Sequence, residues 1–144
     1  VSPSLKTVLF VPDQPLPTQK ARSILPVDIP LDDVTYNLGR VALLVIALQE
    51  GMHDLLRIAT EDRIHQPPRA SLLPSMKQLF TAAMEAGALG VFLSGSGPTI
   101  LALSDEKEKA IADALLSMGN QTGTTGKTLL AKPTPKGAQI ISMQ

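Results

Sequence analysis

Cysteine and tryptophan are absent from this sequence, and histidine occurs only twice, as His53 and His65. Without cysteine there is no disulfide framework and no thiolate metal site, and two histidines are too few for a closed zinc site. No metal-ligand set is therefore expected. Aromatic residues make up 3% of the chain and nowhere interleave with basic ones. Neither sign of charge is in excess, because 13 lysines and arginines balance 13 aspartates and glutamates. No global field then draws in nucleic acid or an anionic membrane. Long apolar runs are missing too. The longest, residues 41–48, falls well short of the ~20 residues that span a bilayer. No basic-then-apolar leader opens the chain. These absences set the expectation of a cytoplasmic protein with neither nucleic acid nor membrane as partner.

What is present suits one domain over residues 1–144. The chain is 44% hydrophobic and 18% charged, enough to build a core and too apolar for disorder. It opens on Val1 rather than methionine, and Ser2-Pro3-Ser4 leads straight into an apolar stretch. That beginning reads like the back part of something longer.

Residues 5–12 (LKTVLFVP) are β-rich and apolar on both faces, as in a buried strand. A proline-rich stretch follows, with Pro15, Pro17, Pro26 and Pro30. It leaves room for one short helix over 18–25, with Thr18 as N-cap and Pro26 as stop. Residues 31–51 show the strongest helical spacing: Val34, Leu38, Val41, Val45 and Leu48, with Asp32 as cap and Gly51 as end. Leu43, Leu44 and Ile46 spread its apolar surface nearly all round, which predicts burial on most sides. A second helix is expected over 52–65, ended by Gln66-Pro67-Pro68 because a proline disfavours the helical region in the residue before it. A third is expected over 74–87 with Ser75 as cap, then an antiparallel hairpin of strands 89–93 and 100–103. An amphipathic helix over 105–121 and a closing hairpin of strands 127–132 and 138–143 complete the chain. The order predicts an α+β fold, an antiparallel sheet of about four to five strands with helices packed on one face.

Two glycine-rich stretches invite comparison with phosphate loops. In GTTGKT (123–128) the Walker pattern needs a glycine five positions before Gly126, and Gln121 stands there. A helix precedes and a strand follows, the reverse of that context, so this is a turn. The stretch Ser94, Gly95, Ser96, Gly97, Pro98 and Thr99 has no lysine and joins two strands. It is either a plain hairpin turn or a loop that contacts an anion or ligand, since its hydroxyls exceed what turning requires. Asp62 and His65 lie three apart, facing each other if helical, as a candidate base or as a surface contact. Arg69 follows Pro67-Pro68, and a rigidly presented guanidinium suits bidentate capture of a carboxylate or phosphate. Its alternative is a solvated arginine. Thr18 and Arg22 lie four apart, on one helical face.

Four segments, TQKARSILP, LDDVTYNLGR, EDRIHQPPR and GALGVFLSGSGPTILAL, occur in the order and spacing of the C-terminal half of the homoserine kinases, members of the GHMP family of small-molecule kinases. The chain resembles that half from Leu5 to Ile141. The resemblance implies the ferredoxin-like C-terminal domain of that family. It further implies that Arg22 and Arg69 bind the homoserine carboxylate, with Thr18 beside the substrate. Residues 94–99 would be the family's third motif, lining the pocket and supporting a phosphate-binding loop supplied by the other half. Asp62 and His65 would play supporting roles. The full-length enzyme would use ATP and magnesium in threonine biosynthesis, with the N-terminal nucleotide-binding domain and homoserine as partners. A homodimer is a further candidate assembly, since a domain parted from its partner exposes apolar surface that favours self-association. Nothing here matches that domain's nucleotide loop, so this chain is expected to carry no catalytic residue, hold no cofactor tightly and be inactive alone. The competing expectation is a free-standing α+β module that binds an amino acid for regulation.

Overall fold

The computed structural model describes residues 4–134, 136 and 139–140. A four-stranded antiparallel sheet runs in the order β2-β3-β1-β4. The strands are β1 (Lys6–Pro12), β2 (Gly90–Leu93), β3 (Ile100–Ser104) and β4 (Gly126–Ala131). The helices are α1 (Thr18–Ser23), α2 (Leu31–Glu50), α3 (Leu56–Ala59), α4 (Gln66–Arg69), α5 (Met76–Glu85) and α6 (Glu108–Gln121), with one 3₁₀ turn over His53–Leu55. With β1 central and β3 inserted between it and β2, this is the split β-α-β arrangement of ferredoxin-like sheets. The α+β class and the β2–β3 hairpin match expectation. The strand expected over 138–143 lies outside the described residues except for Gln139 and Ile140, which belong to no regular element.

Strand alternation divides the apolar residues between the two faces of the sheet. Val8 pairs with Ala102 and Phe10 with Ile100, and all four join Val91, Leu79, Ile111 and Leu115 in the main core. There α5 and α6 cover the sheet. The intervening residues Leu101, Leu103 and Phe92 meet Leu5, Ala47, Leu56 and Leu44 in a second, smaller cluster. So α2 and α3 add a partial layer on the opposite face, beyond the single helical layer expected.

The long helix α2 spans nearly the expected residues, yet it is not buried on most sides. Only Ala47 is buried along it, and Leu38, Val41, Val45 and Ile46 are 66, 61, 58 and 51% exposed. An all-round apolar pattern reports a surface that favours cover, whereas the elements beside α2 are a 3₁₀ turn and the single turn of α3, which reach one side of it.

Three expected caps are also corrected. Thr18 and Asp32 lie inside their helices, behind Pro17 and Pro30 at the N-cap, so neither side chain caps. Proline suits such starts because its missing N–H is one the first turn could not pair. Ser75 does occupy the N-cap of α5 but makes no capping bond; its hydroxyl instead meets that of Thr124 at 2.7 Å.

Candidate functional site

The helix expected over 52–65 is broken after Ala59, and the break creates the site. Asp62 lies in a loop, where its carboxylate accepts from the backbone N–H groups of Ile64 (3.2 Å), His65 (2.8 Å) and Gln66 (2.5 Å). An aspartate that gathers nearby amides offers the backbone an alternative to the helix ladder. Pro67 and Pro68 then sit in the first turn of α4, so the Gln-Pro-Pro run opens a short helix instead of stopping a long one. His65 Nδ1 lies 3.2 Å from Asp62 Oδ1, the expected pairing made across a loop and not along a helix. Burial alone would raise the pKa of the Asp62 carboxyl. The hydrogen bonds from Gln66, Asn37 and His65 outweigh it and hold the group below its ordinary value.

The polar residues near the start of α2 have a local purpose that the sequence did not disclose. Asn37 Nδ2 donates to Asp62 Oδ1 at 2.5 Å, and Asn37 Oδ1 accepts from the Arg63 amide at 3.0 Å. Tyr36 donates its hydroxyl to Glu61, and the guanidinium groups of Arg40 and Arg63 lie 4.1 and 3.7 Å from the Tyr36 ring centre. These contacts fasten the 60–66 loop to the long helix. The hint available in the sequence was the presence of Asn37 with an aspartate in a proline-bounded segment, which a helical reading of that segment conceals.

The depressed Asp62 pKa has a sign that can be tested. A carboxyl whose folded value lies below its unfolded one stabilises the fold fully above the unfolded value, about 4, and loses that contribution as pH falls through the folded value. Asp62→Asn is expected to lower stability at neutral pH and to flatten its acid dependence. Urea midpoints of both proteins across the acid range check this, and parallel profiles would show that Asp62 does not contribute to it.

Arg69 is 8% exposed and uses its fork on two backbone carbonyls. Its Nε donates to Ala21 at 3.2 Å, and its Nη1 donates to Gly95 at 3.2 Å. It thereby ties α1 to the loop over 94–99. That loop is closed by the Ser94 amide donating to the Thr99 carbonyl at 2.8 Å, with Gly97 N donating to the Ser94 carbonyl at 3.1 Å. Gly95 (φ +60°) and Gly97 (φ +79°) adopt the left-handed region, which other residues enter at a cost, and a cis bond joins Gly97 to Pro98. Ser96 Oγ lies 3.5 Å from Thr18 Oγ1. Arg22 is exposed; its side chain makes no ion pair or hydrogen bond among the described residues.

Asp62, His65, Gln66 and Arg69 line one cleft of about 400 Å³, with Leu44 and Phe92 on its apolar side. The structure therefore brings Arg69, Asp62, His65 and Gly95 to one cleft, with Thr18 and Arg22 on the helix that Arg69 grips. Gln66 was missed as a site residue at the sequence level. A larger groove of about 660 Å³ runs beside the proline-rich segment and shares Pro98 with the loop; its charged side chains are Asp13 and Lys20. Lys127 of the rejected Walker match lies in β4, after the turn. Among the described residues no group of three or more His, Asp or Glu is placed to hold a metal ion, and no helix is long and apolar enough to cross a membrane.

The fold and the sequence are shared with known proteins. The family model described as GHMP kinases C terminal matches residues 44–121, more than half of the chain. Homoserine kinase of Caldicellulosiruptor bescii is 44% identical over 144 residues, covering 97% of this chain and 46% of that protein. Homoserine kinase of Persephonella marina is 41% identical over 136 residues, covering 94% and 45%. The chain thus spans about half the length of the curated relatives it matches. The crystal structure of homoserine kinase from Cytophaga hutchinsonii matches with a TM-score of 0.87 at 32% identity, over 91% of this chain and 42% of that one. The sheet order and the matched region agree: the chain belongs to the GHMP kinases, as a C-terminal domain of that family.

Proposed function

We propose that this chain is the C-terminal half of an ATP-dependent homoserine kinase of threonine biosynthesis and contributes the side of the site that holds the amino-acid substrate. The observation that carries the reading is Arg69, buried at the cleft with its fork only partly used. A guanidinium has five N–H donors, and the bonds to Ala21 and Gly95 take two. Arg22 follows directly on the residue whose carbonyl Arg69 binds, so a substrate carboxylate beside Arg69 has a second guanidinium on the adjacent helix. Two guanidinium groups suit a carboxylate, the group by which an amino-acid substrate would be held. Thr18 and Ser96 stand beside them as hydroxyl donors, and Asp62 and His65 shape the cleft without touching the reacting hydroxyl.

Phosphoryl transfer is mostly positioning and charge stabilisation around the nucleotide phosphates. The residues described do not fit that task. The 94–99 loop has no lysine, and no acidic cluster suits magnesium. In this reading ATP and its metal ion are held by the N-terminal half, and residues 94–99 line the substrate side and support that half's phosphate-binding loop. This chain fixes the acceptor and the N-terminal half fixes the donor.

The test has two arms. Purified alone, the 144-residue chain should show no phosphorylation of homoserine above a protein-free control; turnover would overturn the division of labour. The full-length kinase carrying this half should transfer phosphate from ATP to homoserine, and failure with that substrate would overturn the assignment.

A further inference from the structure

The Gln66 carboxamide is fixed at one end and open at the other. Its Oε1 accepts from the Leu93 amide at 2.9 Å. Leu93 ends β2, an edge strand of the sheet, and an outward amide on an edge has no neighbouring strand to pair with. Because a backbone N–H only donates, the group facing it must be the carboxamide oxygen. The Nε2 end is therefore turned away from the strand. No described residue accepts from it, and Gln66 lines the cleft that Arg69 also lines.

The backbone beneath this side chain is held as well. Asp62 Oδ2 accepts from the Gln66 amide at 2.5 Å, and Pro67 and Pro68 follow with fixed φ. Gln66 and Arg69 lie three apart in α4, a spacing that puts both on one side of a helical turn. Two sets of unused donors, one neutral and one cationic, thus share a cleft, each anchored through its other end to the strand and loop around residues 93–95. A donor without a partner in such a cleft favours a ligand that brings an acceptor and disfavours one that does not.

We propose that Gln66 is a ligand-binding residue of this cleft: its Nε2 donates to a carboxylate oxygen of the amino-acid substrate beside Arg69, held in that orientation by the Leu93 amide. This rests on the reading of the cleft as the carboxylate's site. Gln66→Glu keeps an acceptor for Leu93 but removes the donor, whereas Gln66→Met removes both and adds no charge. In the full-length kinase, both variants should raise KM for homoserine by about tenfold or more, at high salt as at low, with KM for ATP unchanged. Amide hydrogen exchange at Leu93 should remain slow in Gln66→Glu and quicken in Gln66→Met.

Unchanged KM for homoserine in both variants, with Arg69→Ala raising it, would overturn the role of Gln66 and leave the cleft reading standing. Unchanged KM in all three variants would overturn both. A rise in Gln66→Glu that disappears at high salt would reduce the effect to an added charge and overturn direct donation. A rise confined to Gln66→Met, together with lost Leu93 protection, would make the residue a brace only and overturn the proposal likewise. Should the Met variant fail to fold, Gln66→Glu decides.

Discussion

Arg69→Ala in the full-length kinase is expected to raise KM for homoserine by roughly ten- to hundredfold, the effect of losing a charge-assisted hydrogen bond of about 1.5–3 kcal/mol, while KM for ATP moves little. Arg69→Lys should recover little of this. An ammonium is a point charge and cannot at once reach the Ala21 carbonyl, the Gly95 carbonyl and a ligand as the fork does. Arg22→Ala should act in the same direction, and the double variant should be less than additive if both guanidinium groups share one carboxylate. The opposite outcome is equally readable. If Arg69 serves only to brace α1 against the glycine loop, kcat and the ATP parameters fall while KM for homoserine stays near its starting value, and the clamp assignment is lost. Steady-state kinetics with each substrate varied in turn separates the two.

The largest effect on stability is expected at Phe10. Its side chain is fully buried at the centre of the main core, on the central strand, and its ring edge packs over the backbone of α6 and β4. Phe10→Ala should cost about 3–5 kcal/mol, a large share of the roughly 5–15 kcal/mol that holds a domain of this kind together. The opposite error tests the same packing. A Cβ placed on Gly119 would lie 2.8 Å from Phe10 Cζ and 2.6 Å from the Thr124 carbonyl oxygen, so Gly119→Ala should destabilise by overpacking. Combining it with Phe10→Ala should remove the part of that cost due to the ring and leave the part due to the Thr124 backbone. Chemical denaturation of the two single variants and the double one measures the coupling; strict additivity would show that the ring and the helix do not bear on each other.

Periodicity made some of this legible in advance and concealed the rest. The hairpin of β2 and β3 was readable because two short apolar runs flank a stretch rich in glycine and serine, and the bounds of α2 because its spacing is regular and Gly51 follows it. Residues 55–59 carry helical spacing too, but nothing in spacing alone says that Asp62 will draw in three backbone amides and that Asn37, far away in the chain, will hold it there. A local pattern cannot display a contact 25 residues distant. The burial of α2 failed for a related reason: apolar content is a property of the helix, whereas cover depends on the length of its neighbours. At the candidate site, Arg69 was identifiable from the rigid prolines before it. That its fork is already engaged on two carbonyls, and that Gln66 stands beside it with a spare donor, depends on the turn of the chain and emerged only in three dimensions.

The way α2 is attached bears on how the molecule loosens. The sheet and the helices α5 and α6 share the large core, but α2 is held by a small apolar cluster and by the polar ties of Tyr36, Asn37 and Arg40 to the 60–66 loop. Regions with few buried contacts open at a lower free energy than the molecule as a whole. When α2 lifts, the loop it restrains is released, and with it the footing of Gln66 and Arg69. A ligand that binds only while α2 is docked therefore stabilises that docking by mass action, without needing to touch most of the helix.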